Sequence, residues 1–331
     1  MVSESRPQTI QARPAPNGSG TITVGWLAFE ASVLRRLKFR SVAMPFTGEP
    51  ELGLYLKRWD ARVAANDQAE WAYARAHAFI ENNSERLTEE NLERLLEDLY
   101  VPRDELNNPA LRKWFTETDA WWFDNLRLNI LNTDSTTGGA SILRSLALSV
   151  GMSVGDYVLS FDDETRSLRE PLALSDVFRR AWQSAPAPVN NSQRNTATNR
   201  DARSFIAEQH ADLLFLRLPR ATNLPLRACS TLLSWREEWV RGGDDFWDEA
   251  ERALSGRLGT PVATKQQYLR FVEELIQTAA HLPAWAIAHT EDGFITTGEI
   301  AECVGQIRKV EAIYTKDFSE LTGLRASIIV A

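Results

Sequence analysis

Residues 42–53 constrain the fold of this chain more than any other stretch. A short apolar run, Val42 to Phe46, ends in a turn at Gly48 and re-enters a helix, and a second apolar run ends in Asp67. In open sheets a glycine lets backbone approach a ligand, the helix start offers N–H groups, and an acid one unit later accepts from a ribose diol. The pattern predicts a nucleotide-type site, against the simpler alternatives of a plain turn at Gly48 and a helix cap at Asp67.

Composition predicts a globular protein with a sizeable core. The 331 residues are 44% hydrophobic and 25% charged, which is ordinary for a soluble domain or for a core domain with an insertion. The net charge of -8 argues against a protein that coats nucleic acid non-specifically. It leaves room for a local basic groove, because phosphate contacts need only a few arginines and lysines.

Cysteine and histidine usage predicts neither a disulfide framework nor a metal site. Cys229 and Cys303 lack metal-type spacing, and no histidine pair has helical spacing or an adjacent nucleophile. The first twenty residues contain no apolar segment of the signal-peptide type, and no apolar run reaches about 18 residues. We therefore expect a cytoplasmic protein with no membrane partner.

Three segments outside the sheet are predicted from periodicity. Residues 1–20, rich in proline and glycine, should be a disordered lead-in. Residues 68–184 carry sustained helical apolar spacing and should form a helical insertion, with a capped helix starting at Thr88. Residues 185–198 are polar and without period, which predicts a mobile loop. The tryptophans of the helical segments are expected in the core rather than as base-stacking platforms.

The remaining segments alternate short apolar runs with helices. Leu213 to Leu216, Trp285 to Ala288, Lys309 to Tyr314 and Ser327 to Val330 are predicted strands. Such alternation indicates a largely parallel sheet covered on both faces. The predicted fold class is therefore α/β, a doubly wound, largely parallel sheet whose core (21–67 and 199–331) is split by the helical insertion.

Several sequence pieces occur in the order of a known family. They are Phe46-Thr47-Gly48, Asn66-Asp67, residues 123–130, Asn199-Arg200-Asp201-Ala202, residues 211–216 and residues 285–293. This order resembles the Dam-like adenine-specific DNA methyltransferases, which use S-adenosylmethionine. The resemblance runs from about Val42 to the C-terminus and implies a Rossmann-like methyltransferase sheet, with the helical insertion where relatives recognise DNA.

The resemblance implies a cofactor site at four residues. Phe46 and Gly48 would lie against the methionine part of S-adenosylmethionine, Asp67 would accept from the ribose hydroxyls, and Asp201 would lie near the adenine. One departure is Pro50, which stands where the family usually has a second glycine and which removes a backbone N–H. The family's Lys-Trp-x-Gly-Gly element is also not found in this chain.

The catalytic slot departs further. The family follows the strand matching Leu213 to Leu216 with Asp-Pro-Pro-Tyr, which accepts hydrogen bonds from the adenine amino group and stacks on the flipped base. Here the slot reads Arg217-Leu218-Pro219-Arg220. An arginine has donors but no acceptor and repels the cation that develops during transfer. We therefore expect no methylation of adenine by this chain alone, and Asp212, at the other end of the strand, should not substitute.

Arginines near this slot suggest a second role. Phosphate could be bound at the carboxyl edge of the sheet by Arg217, Arg220 and Arg227. The alternative is that they pair with local carboxylates, which is the commoner outcome for such side chains.

The leading functional hypothesis is a catalytically degenerate relative, a pseudoenzyme of the DNA methyltransferase type. It would act by binding DNA or an active methyltransferase subunit, in a DNA modification or defence system such as restriction-modification. Two alternatives stay open: an active S-adenosylmethionine-dependent methyltransferase with an altered motif, and a purely structural subunit of such a complex.

Overall fold

A seven-stranded sheet forms the centre of the computed structural model, which describes residues 25–133, 141–162, 164–169, 172–230, 233–291 and 294–331. The strands are β1 (Ser41–Met44), β2 (Arg62–Asn66), β3 (Thr196–Thr198), β4 (Leu213–Arg217), β5 (Ala284–Glu291), β6 (Ala312–Phe318) and β7 (Leu324–Val330). The predicted lead-in over residues 1–20 lies outside the described residues.

Helices surround the sheet and form a separate layer beside it. Their bounds are α1 (Trp26–Leu34), α2 (Glu51–Arg58), α3 (Glu70–Ala76), α4 (Glu89–Leu95), α5 (Glu117–Thr133), α6 (Ile142–Leu159), α7 (Arg166–Arg169), α8 (Leu174–Ser184), α9 (Ala202–Ala207), α10 (Leu226–Ser230), α11 (Ser234–Arg241), α12 (Trp247–Leu254), α13 (Lys265–Thr278), α14 (Thr297–Gly305) and α15 (Ser319–Thr322). A π-helical segment, His77–Glu81, extends α3, and a 3-10 helix spans Pro109–Lys113.

The strand order is β3-β2-β1-β4-β5-β7-β6. Strands β1 to β5 pair in parallel, whereas β7 runs antiparallel to both β5 and β6. The expected α/β class with a largely parallel sheet is therefore confirmed. The antiparallel β7 follows from its connection, because the short α15 and the turn at Gly323 return the chain directly beside β6.

The central strands are buried on both faces. In β4, Leu214 and Leu216 pack with the helices α9, α13 and α14, while Leu213 and Phe215 pack on the opposite face with α1 and α2. This alternation of buried side chains is what a parallel strand covered by helices on both sides requires. It explains why these strands read as continuous apolar runs in the sequence.

Residues 68–184 are helical wherever the structure describes regular elements in them. Their core holds a cluster of tryptophan and phenylalanine rings, in which Trp122, Trp235 and Trp239 are 0%, 1% and 0% exposed. The expectation that these tryptophans are core residues is confirmed. Thr88 caps α4 with a reciprocal hydrogen bond to Asn91, as its position in the sequence predicts.

Two predicted boundaries change. The segment predicted as a loop, 185–198, contains the edge strand β3 and is tied to the sheet by Asn195, whose Oδ1 accepts from the Val63 N–H at 2.9 Å. Helix α11, within the segment assigned to the sheet core, packs instead in the helical cluster. Strand β3 is too short and polar to show the apolar alternation of a strand. The apolar spacing of α11 predicts a helix but does not show which layer it packs in.

Candidate functional site

The turn after β1 meets the end of β2 at the carboxyl edge of the sheet. The Gly48 N–H donates to Oδ2 of Asp67 at 2.8 Å, and the Thr47 N–H donates to the Asn66 carbonyl at 3.0 Å. Gly48 has a φ of 56°, a left-handed conformation that favours glycine. The structure therefore brings Gly48 and Asp67 together as the sequence predicts.

Asp67 has no free carboxylate oxygen in this arrangement. Its Oδ2 accepts from Gly48, and its Oδ1 accepts from the Ala69 N–H at 3.0 Å, at the start of α3. Burial raises the pKa of Asp67 to about 6, and the Glu237 carboxylate acts in the same direction, while the N–H groups of Gly48 and Ala69 oppose both. Asp67 is not the cap of α3, whose N-cap residue is Ala69; its Oδ1 contact is a local turn to that residue, formed beside the contact with Gly48.

Phe46 and Asp201 complete the predicted set. Phe46 is half-buried against the apolar cluster that holds α9 and α13. Asp201 caps α9 through the Ser204 N–H at 3.1 Å, and its Oδ1 accepts from Gln68 at 3.3 Å, one residue beyond Asp67. All four residues predicted to hold a cofactor therefore lie along one stretch of the sheet edge.

The chain itself covers the Asp201 end of this stretch. Arg257, in the segment after α12, donates from Nη1 to Oδ1 of Asp201 at 2.6 Å. The next residue, Leu258, is 4% exposed and packs in the cluster that also contains Leu218. The carboxylate that the resemblance assigns to the adenine is thus already paired.

Arg217 ends β4 with its guanidinium turned into the protein. Nε and Nη2 donate to the two carboxylate oxygens of Glu30 at 2.7 and 2.8 Å, and Nη1 donates to the Thr47 carbonyl at 2.7 Å. Glu30, on α1, is fully buried. Burial disfavours the charged arginine, but Glu30 and the nearby Glu51 and Glu49 outweigh it and raise the pKa of Arg217.

The next two residues of the predicted slot, Leu218 and Pro219, also contact the rest of the protein. Leu218 is 8% exposed, and the Pro219 carbonyl accepts from the Tyr268 hydroxyl at 2.7 Å. Arg220 is half-buried. Asp212, as expected, lies at the opposite edge, where its Oδ2 accepts from the Ser41 N–H at 2.9 Å.

Arg227 pairs with carboxylates as well. Its Nη2 lies 2.7 Å from Oε1 of the buried Glu238 and 3.2 Å from Oδ2 of Asp244. Of the arginines predicted to contact phosphate, Arg217 and Arg227 therefore follow the alternative of pairing with local carboxylates.

A buried ion-pair network that the sequence did not reveal lies beside the turn. Arg236, on α11, donates to Oε1 of Glu49 at 2.7 Å and to Oδ1 of Asp156 at 3.0 Å, and it stacks over the Trp71 ring. Arg75 lies 3.0 Å from Glu49. Although burial opposes it, these two arginines lower the pKa of Glu49.

Glu237, next to Arg236, closes the start of α3. Its two oxygens accept from the N–H groups of Glu70 and Trp71 at 3.0 Å each. The Glu237 carboxylate therefore accepts from the free N–H groups at the start of α3, which would otherwise be available to a ligand. The only sequence signal was the run Trp235-Arg236-Glu237-Glu238-Trp239, in which charges stand between tryptophans of the core.

A cleft of about 210 Å³ opens on the far side of α2, between this helix and the helical layer. Pro50, Leu54, Phe79 and Val150 contribute to its walls, and none of Gly48, Asp67 and Asp201 does. Its lining is mainly apolar, but it also includes Arg75, which pairs with Glu49 in the ion-pair network.

Two further features of the structure concern metal binding and membrane crossing. Within the described ranges, no group of three or more His, Cys, Asp or Glu side chains is arranged to hold a metal ion. One helix, α6, is long and apolar enough to cross a membrane by length and composition alone, and 61% of it is buried inside the protein.

Comparison with models of known protein families finds no match, and comparison with curated protein sequences finds none either. The function therefore has to be inferred from the side chains at the sheet edge.

Proposed function

We propose that this chain is a non-catalytic relative of the adenine-specific DNA methyltransferases, which acts by binding DNA or an active partner subunit. The observation that carries the proposal is the ion pair of Arg217 with Glu30, at the end of the strand where the family places its catalytic tetrapeptide. The slot holds a cation already committed to a buried carboxylate.

The strand order supports the relationship. The first five strands follow the doubly wound order with its reversal between β1 and β4, where open sheets bind ligands. An antiparallel seventh strand lies between β5 and β6. The resemblance to the methyltransferases implies a Rossmann-like sheet, and this strand order is consistent with one.

The chemistry of the slot argues against methyl transfer. A transferring site needs an acceptor for the adenine amino protons and an environment that stabilises the positive charge developing on nitrogen. Arg217 supplies no acceptor, and Arg220 replaces the aromatic ring. Removing a hydrogen bond to a charged group costs about 1.5 to 3 kcal/mol, or roughly a tenfold to hundredfold loss of rate, before charge repulsion is counted.

The cofactor end of the site is occupied by the protein's own groups. Asp67 accepts from Gly48 and Ala69, and Asp201 is paired with Arg257. A bound S-adenosylmethionine would have to share these carboxylates with the donors of the protein or displace them. We therefore propose that cofactor binding is residual or absent, and an active methyltransferase is the rival function.

A labelled-methyl assay tests the proposal. Purified protein, S-adenosylmethionine carrying a labelled methyl group and adenine-rich duplex DNA are combined, and cofactor binding is measured separately by calorimetry. The native chain should transfer no label above the blank. Robust transfer would promote the active methyltransferase with an altered motif.

Reversion of the slot separates a missing catalytic group from a missing cofactor site. An Arg217→Asp, Leu218→Pro, Arg220→Tyr variant restores the family's tetrapeptide, but it places two buried carboxylates together because Glu30 remains. The better variant adds Glu30→Gln, with Glu30→Gln alone as the matched control. Transfer that appears only in the fourfold variant would show an intact cofactor site beside a degenerate catalytic slot.

A further inference from the structure

We propose that the protein binds the phosphate backbone of a polynucleotide on a basic surface at the amino-terminal edge of the sheet, opposite the candidate site. The basic surface is defined by the cations within or next to the α1–β1 and α2–β2 connections and in the turn before β3, namely Arg35, Arg36, Lys38, Arg40, Arg58, Arg62 and Arg194. This inference rests on the proposed function and specifies its binding activity, and its test is independent of methyl transfer.

The pairing of β1 with β2 brings the cations of the two connections to the same edge of the sheet. Ser41, the first residue of β1, pairs with Arg62, the first residue of β2, and the Arg62 N–H donates to the Arg40 carbonyl at 2.8 Å. Arg194 belongs to the turn held on this edge by Asn191, which donates to the Ala61 carbonyl at 2.9 Å. Separate segments of sequence therefore form one continuous surface.

The cations of this surface differ from the buried arginines of the candidate site, because they have no carboxylate partner in the part of the chain that the structure describes. Among the described residues, the side chains of the basic surface take part in no ion pair within 4.0 Å, whereas Arg217, Arg227 and Arg236 are all paired. Asp60 is the one acid on the two connections. Asp212 also lies at this edge, but its carboxylate accepts from the N–H groups of Arg40 and Ser41.

Aromatic rings hold some of these guanidinium groups. Arg35 lies over the Trp59 ring at 4.9 Å, Arg58 over the Tyr55 ring at 5.6 Å, and Tyr55 is 40% exposed. Stacking fixes the plane of a guanidinium while leaving its N–H donors directed outward, which suits recognition of phosphate.

The composition of the surface favours a polynucleotide over a protein or a membrane. Protein interfaces have an apolar centre depleted of charge, and membrane-binding surfaces insert exposed apolar side chains. Here the apolar side chains between the cations, Leu37 and Phe39, are half-buried, while Arg35, Arg36 and Lys38 are exposed. Protein–nucleic acid interfaces are polar and strongly positive in this way, even in a chain whose net charge is -8.

Fluorescence anisotropy over a salt series tests the inference, with labelled duplex DNA, single-stranded DNA and RNA of equal length and no cofactor. The test variant is Lys38→Glu, Arg40→Glu, Arg58→Glu, whose side chains are exposed. The matched control makes the same change in net charge at Arg86, Arg103 and Arg180, exposed arginines outside this surface that take part in no ion pair within the described ranges. A second test variant with glutamine at positions 38, 40 and 58 serves if the reversal unfolds the chain.

The native protein and the control should bind, and the test variant should bind about tenfold or more weakly at low salt. Its slope of log affinity against log salt should be shallower by about 0.9 for each duplex phosphate that it no longer neutralises, or by about 0.7 on a single strand. The tighter of the DNA and RNA ligands identifies the source of the phosphates. Equal weakening in the control, no binding by the native chain at low salt, or equally strong competition by polyglutamate would each overturn the inference.

Discussion

Arg217 and Glu30, 187 residues apart in sequence, form a bidentate ion pair at 2.7 and 2.8 Å at the carboxyl end of β4. The Trp26 indole also donates to Oε1 of Glu30, so this oxygen accepts from two donors and Oε2 accepts from one. The pair joins α1 to the sheet edge, at the strand end where the proposed relationship would place the catalytic tetrapeptide. One contact thus accounts both for local stability and for the proposed lack of catalysis.

Breaking this pair from one side should be costly. Arg217→Met leaves the fully buried Glu30 without a countercharge and should lower the free energy of unfolding by about 3 to 5 kcal/mol. Adding Glu30→Gln should recover part of that loss, because the amide oxygen still accepts from Trp26 and no charge remains buried. Urea denaturation of both single variants and the double variant measures the coupling; additive, small losses would contradict the pair's role.

Asp67 gives a pH dependence with a definite sign. Its folded pKa, about 6, lies above the ordinary value of 3.8, so between these values the folded chain keeps a proton that the unfolded chain has released. The stability contributed by the protonated group is present below the lower value and is lost as pH rises to about 6.

The penalty of Asp67→Asn should therefore be smaller at pH 7 than at pH 4. Other groups titrate alike in both proteins and cancel in the difference between their free energies of unfolding, measured by urea denaturation at each pH. A penalty that grows with pH would mean that the N–H groups of Gly48 and Ala69 stabilise the ionised form more than burial opposes it.

Close packing between α6 and α11 gives a third prediction. A Cβ at Gly151 would lie 2.3 Å from the Trp239 ring, which is 0% exposed. Gly151→Ala should lower the free energy of unfolding by about 1 to 3 kcal/mol through overpacking. Gly305→Ala is the control and should change stability by less than about 0.5 kcal/mol, because no described atom outside its own helix backbone and chain neighbours lies within 4 Å of the added Cβ. Equal effects at the two positions would contradict the close packing.

The sequence predicted those parts of the molecule that local pattern determines. The runs at Val42, Leu213 and Trp285 became β1, β4 and β5 because strands covered on both faces are continuously apolar. The meeting of Gly48 with Asp67 followed from the rule that parallel strands bring their carboxyl ends to one edge.

The parts that were missed depend on contacts between distant segments. Strand β3 is short and polar, and only its pairing with β2 defines it. The break between α11 and α12 also lacks a clear signal in the sequence; it is made by the turn at Gly242, whose φ of 87° ends α11. The partners of Arg217 and Arg236 could not be predicted either, because Glu30 and Glu49 lie on distant segments, each 187 residues away along the chain.

The most direct test of the central claim is transfer of a labelled methyl group from S-adenosylmethionine to adenine-rich duplex DNA by the native chain alone. Because the proposed relationship requires an acceptor for the adenine amino group at the position of Arg217, which is paired with Glu30, we predict no incorporation above the protein-free blank. Incorporation that rises with protein concentration and disappears when the DNA lacks adenine would contradict this claim.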